Sequence, residues 1–381
     1  ARMSAIKTLA QLGLAAQYDQ CSSTDRAPTR SRDPITGAIY RALMPDGKCL
    51  HQLKVLQTNI CTQSCNYCPN RSANDIPRNQ LSPDELARNF DEVVRRGRAD
   101  SLFLSSGIAD SPNHTAEHML ASVELLRKCY GFGGFIHFKL MPGVEDAIIE
   151  RALQLAQRVS VNLEAPSAAR LQVLSGSKQL PDLLTPLQRA RRMIDREQLR
   201  VSMTTQLVVG AAGESDREIL STASALYQQL RLARTYYSAF RPIPRTPLEG
   251  HDPTPSWREH RLYQADFLLR TYGFGWRELV LDELGNLPRT ADPKTLWALH
   301  HPEFYPVELN LAELPALLRV PGIGPTSANR LLHWRRARRL NSLEQLTKAG
   351  ADARRAAPYI LLAGVRPAHQ LVLWAGKEQP I

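Results

Sequence analysis

Three cysteines lie in the segment NICTQSCNYCPN, which covers residues 59–70. Cys61, Cys65 and Cys68 follow a C-x3-C-x2-C spacing, and Tyr67 directly precedes the last of them. Clustered cysteines outside a disulfide framework indicate metal binding or catalysis. A structural zinc ion takes four protein ligands, whereas three thiolates leave one metal position open for chemistry. The spacing therefore predicts a [4Fe–4S] cluster with one iron free to bind a substrate or a cofactor.

A zinc site is the alternative reading of the same loop, with Cys49 or His51 as the fourth ligand. Six cysteines among 381 residues do not form a disulfide scaffold, and reduced thiols are typical of the cytosol. No apolar run approaches the roughly 18 residues needed to span a bilayer. We therefore expect a cytoplasmic protein with no membrane partner.

Strand-like and helix-like patterns alternate on both sides of these cysteines. Strands are predicted at 53–59, 101–107, 135–141, 158–164, 200–210 and 235–243. Helices are predicted at 4–18, 82–97 (capped by Ser82 and Glu85), 115–131 (capped by Thr115), 144–157, 183–197, 215–230 and 256–272. Strands separated by amphipathic helices indicate a parallel α/β sheet, either a partial barrel or an open doubly wound sheet. In such folds the sites form at the carboxyl ends of the strands, where the cysteine segment begins.

The cysteine segment, with its aromatic residue before the third cysteine, resembles that of the radical S-adenosylmethionine (radical SAM) enzymes. Ser105, Ser106 and Gly107 resemble a variant of the superfamily's Gly-Gly-Glu segment, which holds the methionine amino group, although the acidic residue is absent here. Further polar residues stand at the positions that the superfamily uses for its cofactor. They are Asn162 and Glu164 after the fourth strand, and Gly210 and Glu214 in the segment VVGAAGESD (208–216).

This resemblance implies a partial (β/α)6 radical SAM barrel, and it favours that architecture over the doubly wound sheet. It implies a [4Fe–4S] cluster ligated by the three cysteines, S-adenosylmethionine as cofactor, and Tyr67 among the cofactor-binding residues. It also implies an electron donor such as flavodoxin or ferredoxin. The expected chemistry is reductive cleavage of S-adenosylmethionine to a 5′-deoxyadenosyl radical that abstracts hydrogen from an unactivated C–H bond.

The C-terminal residues differ from the rest in charge. The chain has a net charge of +11, and residues 311–381 carry eleven Lys/Arg against four Asp/Glu. Within them, VPGIGP (320–325) is flanked by helical patterns and resembles a helix-hairpin-helix motif of DNA repair proteins. Gly322 and Gly324 permit a tight turn, and the amides at the start of the following helix attract phosphate. Supplementary donors and charges are Thr326, Ser327, Arg330, Arg335, Arg336, Arg338 and Arg339.

The pairing of these two motifs resembles a bacterial family of DNA modification or repair radical SAM proteins, often encoded beside a uracil-DNA glycosylase-like protein. The predicted domains are an N-terminal extension (1–50), the barrel (51–250), a connecting region (251–310) and a small all-α helix-hairpin-helix domain (311–381). The expected partner is nucleic acid, with DNA favoured over RNA. The alternatives are a radical enzyme on a small molecule or peptide, with the tail as a docking module, and a non-enzymatic iron–sulfur nucleic-acid binder.

Several other residues have a possible chemical role beside a structural one. Cys21 and Cys49 are candidates for a second cluster, a sulfur donor or a hydrogen-donating thiol, and equally for buried packing. Cys129 is expected in the core. The remaining candidates are His137 and Lys139 for acid–base chemistry, Arg241 and Arg245 for phosphate binding, and Tyr236 and Tyr237 for base stacking.

Overall fold

The structure is a computed structural model that describes residues 2–19, 35–43 and 49–368. Cys21 therefore lies outside the described residues. The chain divides into two compact units, Ala1–Tyr263 and Gln264–Ile381, here called the N-terminal unit and the C-terminal unit. The four domain ranges expected from the sequence stay predictions. No helix in the described part of the chain is both long enough and apolar enough to cross a membrane.

The N-terminal unit is built on one seven-stranded sheet whose strands follow one another in chain order. The strands are β1 Ile39–Leu43, β2 Cys49–Leu56, β3 Ser101–Ser105, β4 Phe135–Lys139, β5 Arg158–Ser160, β6 Ser202–Val209 and β7 Arg234–Ala239. β2 to β7 pair in parallel, and β1 pairs antiparallel with β2. Within the described residues no pairing joins β1 to β7, so the sheet is an open half-barrel. The predicted α/β partial barrel is confirmed, and β1 is an element that the sequence patterns did not reveal.

Helices alternate with the parallel strands, and two more lie before the first strand and after the last strand of the sheet. They are α1 Arg2–Ala15, α2 Pro83–Arg95, α3 Pro112–Lys128, α4 Asp146–Leu155, α5 Ala168–Leu174, α6 Leu180–Glu197, α7 Asp216–Leu230 and α8 Ser256–Thr271. α2 begins with the predicted capping box of Ser82 and Glu85. The predicted cap of α3 is wrong: Ser111 accepts from the His114 amide, and Thr115 is buried one turn inside the helix.

The C-terminal unit contains five helices among its described residues: α9 Pro293–His300, α10 Leu314–Arg319, α11 Pro325–Ala337, α12 Leu343–Lys348 and α13 Ala353–Ala356. A two-residue parallel ladder joins β8 Val307–Glu308 to β9 Ile360–Leu361. The tail is therefore not strictly all-α. Apolar side chains of α10, α11 and α12, among them Leu317, Leu331 and Leu346, form its buried core together with Ile360 of β9.

Candidate cofactor site at the cysteine loop

The three cysteines lie in the long loop 57–82 that follows β2, here called the cysteine loop. Arg78 organises this loop, because its guanidinium donates to the backbone carbonyls of Asn59, Asn70, Arg71 and Asn74 at 2.7–2.9 Å. Four charge-assisted bonds from one side chain hold the loop in a single conformation. The sequence patterns did not identify Arg78, because its partners are backbone atoms that no motif records.

The three thiols line one cavity with an empty volume of about 860 Å³. Cys65 is buried, and Cys61 and Cys68 are half-buried. Burial, together with the neighbouring Cys65 and Cys61 sulfurs, raises the pKa of Cys68 to about 12, although a hydrogen bond from the Asn70 amide acts in the opposite direction. In this desolvated loop, a negative charge on one sulfur makes ionisation of the others less favourable. A bound cationic metal centre would displace the thiol protons and stabilise the thiolates.

The geometry does not favour the zinc alternative. Among the described residues, no three His, Cys, Asp or Glu side chains are arranged to hold a single metal ion. Tetrahedral zinc would bring its sulfur ligands to about 3.8 Å from one another. A cubane bonds each thiolate to a different iron and spreads them farther apart. Cys49 instead accepts a hydrogen bond from Arg41, and His51 faces Asp100, so neither supplies a fourth ligand to the loop.

The segment Ser105–Gly107, at the end of β3, packs directly against the cysteine loop. The Gly107 amide donates to the Thr58 carbonyl at 2.7 Å. A Cβ at Gly107 would lie 2.3 Å from the carbonyl oxygen of Ile60 and 3.2 Å from the Cβ of Cys61. Only glycine permits this approach. All three residues of the segment line the cavity, as predicted for a cofactor-binding segment.

We expect Gly107→Ala to displace the start of the cysteine loop, because the added Cβ collides with backbone and not with a movable side chain. The free energy of unfolding should fall by about 1–3 kcal/mol, as for overpacked sites. The bound iron should fall as well. Both are measurable by thermal unfolding and iron assay after anaerobic reconstitution. Gly133→Ala is the matched control, since nothing lies within 4 Å of a Cβ at that position. Equal iron content in the two variants would contradict the expectation.

Glu164 connects the fourth parallel strand, β5, to the cysteine loop. It adopts a left-handed backbone conformation with a φ of 64°, which is unusual for a residue other than glycine and marks a locally strained position. Its carboxylate accepts from Lys178 Nζ at 2.9 Å and from the Tyr67 hydroxyl. Burial raises the pKa of Tyr67 well above its ordinary value, and the charges of Glu164 and Cys65 add to this, so Tyr67 is a neutral donor. Lys178 was not identified from the sequence.

The dipeptide Tyr18–Asp19, which lies shortly after α1, also reaches the cavity. Side chains from five successive parallel strands or their ends bind this dipeptide: Lys54 (to the Asp19 carbonyl), Ser105, Lys139 and Asn162 (to the Asp19 carboxylate), and Gln206 (to the Tyr18 carbonyl). Burial alone would raise the pKa of Asp19, but Lys139 and Ser105 outweigh it and hold the pKa below its ordinary value. Asp19 is therefore an ionised carboxylate that lines the cavity, with its side chain 14% exposed. No sequence motif marked it.

Three of the predicted acid–base and stacking candidates have structural roles. His137 Nε2 lies 2.8 Å from Ser160 Oγ, and its ring packs edge-on against Phe103. Burial lowers the pKa of His137 well below its ordinary value, so the ring is neutral. Tyr236 and Tyr237 are buried in the sheet and are not exposed for base stacking. Lys139, by contrast, lines the cavity, where it pairs with Asp19.

The turn 208–214 does not line the cavity through its predicted residues. Glu214 is buried and accepts from the amides of Gly210 and Ala212 in its own turn. Gly210 has a φ of 94°, and a Cβ there would meet Thr254 Oγ1 at 1.9 Å. Both residues thus shape the turn itself, and their contact with a cofactor stays a prediction.

A second cavity, with an empty volume of about 1070 Å³, adjoins the first. The two share Tyr18, Tyr67, Cys68 and Gln206. The two cavities therefore meet at these four residues. Arg241 lines the second cavity, whereas Arg245 donates to the Asp75 carbonyl of the cysteine loop and is structural.

In the C-terminal unit, a turn between α10 and α11 contains the predicted glycines. Gly322 has a φ of 83°, and its carbonyl accepts from the Asp352 amide at 2.8 Å. Gly350, with a φ of 84°, stands in the comparable turn between α12 and α13. The unit thus contains two pairs of helices, each pair connected by a tight turn, and a backbone hydrogen bond joins the two turns.

Several residues predicted to bind phosphate already have partners within this unit. The Gly324 amide donates to Ser327 Oγ at 2.9 Å, and the buried Ser327 hydroxyl donates back to the Gly324 carbonyl. Arg335 donates to the carbonyls of Leu309 and Ala312, and Arg330 donates to that of Ala349 at 3.3 Å. The predicted residues on the exposed surface are Thr326, Arg330, Arg336, Arg338 and Arg339. Ser327 and Arg335 bind other groups of the unit, and their contact with phosphate stays a prediction.

Residues 55–226, a little under half of the chain, match the family model described as the Radical SAM superfamily. This match supports an enzyme whose cofactors are a [4Fe–4S] cluster and S-adenosylmethionine. It favours catalysis over the non-enzymatic iron–sulfur binder considered from the sequence. No curated protein matches the chain.

Several solved structures share part of the fold. The FeFe-hydrogenase maturase HydG from Carboxydothermus hydrogenoformans is 16% identical, with 57% of this chain and 51% of that chain covered and a TM-score of 0.47. Methylornithine synthase (PylB) is 15% identical, with 57% and 61% covered and a TM-score of 0.46. A radical SAM methyltransferase from Sphaerobacter thermophilus is 17% identical, with 62% and 71% covered and a TM-score of 0.45. The chain spans about half to three fifths of the length of the first two.

Proposed function

We propose that this protein cleaves S-adenosylmethionine reductively at a cluster held by Cys61, Cys65 and Cys68, and uses the resulting radical to modify or repair nucleic acid. The observation that carries the cofactor chemistry is the convergence of three thiols on a cavity at the carboxyl end of β2. A three-thiolate cluster supplies an open iron and one electron to the bound cofactor. The chain's own residues must then orient that cofactor and exclude water.

The residues proposed to hold the cofactor lie around the same cavity. Ser105, Ser106 and Gly107 line it from β3, Asn162 and Glu164 from the end of β5, and Tyr67 from the cysteine loop. Apolar side chains complete the wall: Leu56, Ile108, Leu140, Met141 and Val161. An apolar wall keeps water and other hydrogen donors away from a reactive intermediate. Asp19, within hydrogen-bond reach of Ser105, brings a carboxylate to the segment that has no acidic residue of its own.

The cofactor chemistry is tested by incubating reconstituted protein with S-adenosylmethionine and a strong reductant under anaerobic conditions. We expect 5′-deoxyadenosine to form, measured by chromatography and mass spectrometry, even without a second substrate. The variant lacking all three loop cysteines serves as the control and should form none. An intact cluster that yields no product with several reductants would overturn the proposal.

The nucleic-acid substrate rests on the C-terminal unit. Arg336, Arg338 and Arg339 are exposed and lie at the end of α11, a helix that begins directly after a tight glycine turn. Backbone amides at a helix start and nearby arginines are suited to phosphate and read no sequence. We propose DNA before RNA as the polymer, an electron donor such as flavodoxin or ferredoxin, and a uracil-DNA glycosylase-like protein as a functional neighbour.

A small molecule or peptide is the second candidate substrate, and one observation favours it. The first cavity contains two buried carboxylate–ammonium pairs, Asp19 with Lys139 and Glu164 with Lys178. Such pairs complement the opposite charges of an amino acid. The two candidates differ in where a product accumulates. Digested nucleic acid and small-molecule extracts from a strain lacking the protein should be compared by mass spectrometry with those of the parent strain. A change confined to the small molecules would favour this second candidate.

A further inference from the structure

A short segment after α5 holds the cysteine loop from outside the motif. The Asn66 amide donates to the Leu174 carbonyl at 2.7 Å, and the Asn66 side chain donates to the Val173 carbonyl at 2.9 Å. The Ser64 amide reaches Ser177 Oγ at 3.3 Å. These bonds attach the stretches between the three cysteines to residues 173–178, so this segment and the thiols keep a constant relative position.

The same segment ends in Lys178, which enters the first cavity. Its side chain is 13% exposed, and its Nζ lies 2.9 Å from Glu164 Oε1. Burial by itself lowers the pKa of Lys178, but the charges of Cys65, Glu164 and Cys68 outweigh it and raise the pKa above its ordinary value. Lys178 is therefore a cation in the cavity wall, attracted by Cys65, Glu164 and Cys68.

Lys178 also acts on Cys68. Its charge opposes the effect of burial, which together with Cys65 raises the pKa of that thiol to about 12. Lys139 is a second lysine of the cavity, and it pairs with Asp19. Lys178 is thus a cation that acts on two of the predicted cluster ligands, Cys65 and Cys68, and Glu164 is the carboxylate paired with it.

We propose that Lys178 and Glu164 form a charge pair that sets the reduction potential of the cluster, Lys178 raising it and Glu164 lowering it. This inference rests on the proposed ligation of the cluster by Cys61, Cys65 and Cys68. Reduction adds one electron from an external donor to the cluster, so a nearby buried cation stabilises the reduced form and a nearby anion destabilises it. Charges act strongly here because the site is desolvated. The potential of an iron–sulfur cluster is known to depend on such surrounding charge.

Lys178 and Glu164 are positioning and tuning residues in this scheme, and the two charges predict shifts of opposite sign. Lys178→Met keeps the aliphatic stem and removes the cation, so the potential should become more negative. Glu164→Gln keeps the shape and removes the anion, so it should become more positive. Lys178→Arg should remain near wild type, and Tyr67→Phe, which removes one hydrogen bond and no charge, should shift little.

The midpoint potential of the cluster in reconstituted protein, without S-adenosylmethionine, is measured by EPR-monitored titration with dithionite and mediators. Lys139→Met is the matched control: it also removes a buried, carboxylate-paired lysine from the cavity, and its shift should be clearly smaller than that of Lys178→Met. The inference is overturned if Lys178→Met and Glu164→Gln shift in the same direction or not at all. Should Lys178→Met fail to take up a cluster, the signs for Glu164→Gln and Lys178→Arg still test it. A wild-type protein that takes up no cluster would overturn the proposed function itself.

Discussion

Replacing Cys61, Cys65 and Cys68 together by alanine is expected to reduce bound iron and sulfide from about four of each per chain to near zero. The physical reason is that the three thiolates provide the protein's bonds to the cluster, and the triple replacement removes all of them. Iron and sulfide assays after anaerobic reconstitution, together with the visible absorption of the cluster, measure the effect.

Cys129→Ala is the control for a general effect of losing a thiol. Cys129 ends α3 and is exposed, contrary to the core position expected from the sequence, so its removal should leave the iron content unchanged. A triple variant that retains a full cluster would show that the ligands lie elsewhere. About eight iron atoms in the wild-type protein, falling to four in Cys49→Ala, would instead reveal a second cluster.

The parts of this molecule that the sequence predicted well are those recorded in local patterns. The spacing of the three loop cysteines can be read directly from the sequence, and Ser82 with Glu85 marks the start of a helix within four residues. The parallel strands are short apolar runs between amphipathic helices, and these runs are readable without tertiary knowledge. β1 was missed because IYRAL is only five residues long and lies among polar, turn-rich sequence.

The site residues that were missed depend on contacts between distant segments. Asp19 comes from the chain's beginning, yet it meets the ends of β3 and β4. Lys178 lies in a turn with no motif, but it faces Glu164 across the cavity. Arg78 binds only backbone carbonyls. Each was invisible because its role comes from where the folded barrel places it, not from its neighbours in the chain.

The structure also changes how the nucleic-acid prediction should be tested. Gly322→Val is an obvious change for removing the phosphate site of the hairpin. A Cβ at Gly322 would, however, lie 2.4 Å from the Asp352 carbonyl oxygen, in a backbone conformation that side chains rarely adopt. That variant would damage the fold of the C-terminal unit as well as any phosphate site. The exposed arginines at the end of α11 allow a test that leaves the turn intact.

We expect wild-type protein to bind duplex DNA with modest affinity, little sequence preference and a log–log salt slope of roughly −2 to −4, since each neutralised phosphate contributes about 0.9. Arg336→Gln, Arg338→Gln and Arg339→Gln combined should bring the slope toward zero by up to about 2.7, because three phosphate contacts are lost. Fluorescence anisotropy across a salt series measures this.

The control combines Arg88→Gln, Arg192→Gln and Arg200→Gln, three exposed arginines of the N-terminal unit, and removes the same net charge. An equal loss in both variants would mean that net charge, not a C-terminal site, produces the binding. Uncoupled cleavage of S-adenosylmethionine should survive in both, because the loop cysteines are untouched. If the wild-type protein binds neither duplex nor single-stranded DNA or RNA at low salt, the C-terminal unit is better explained as a docking module, and the small-molecule or peptide substrate becomes the leading proposal.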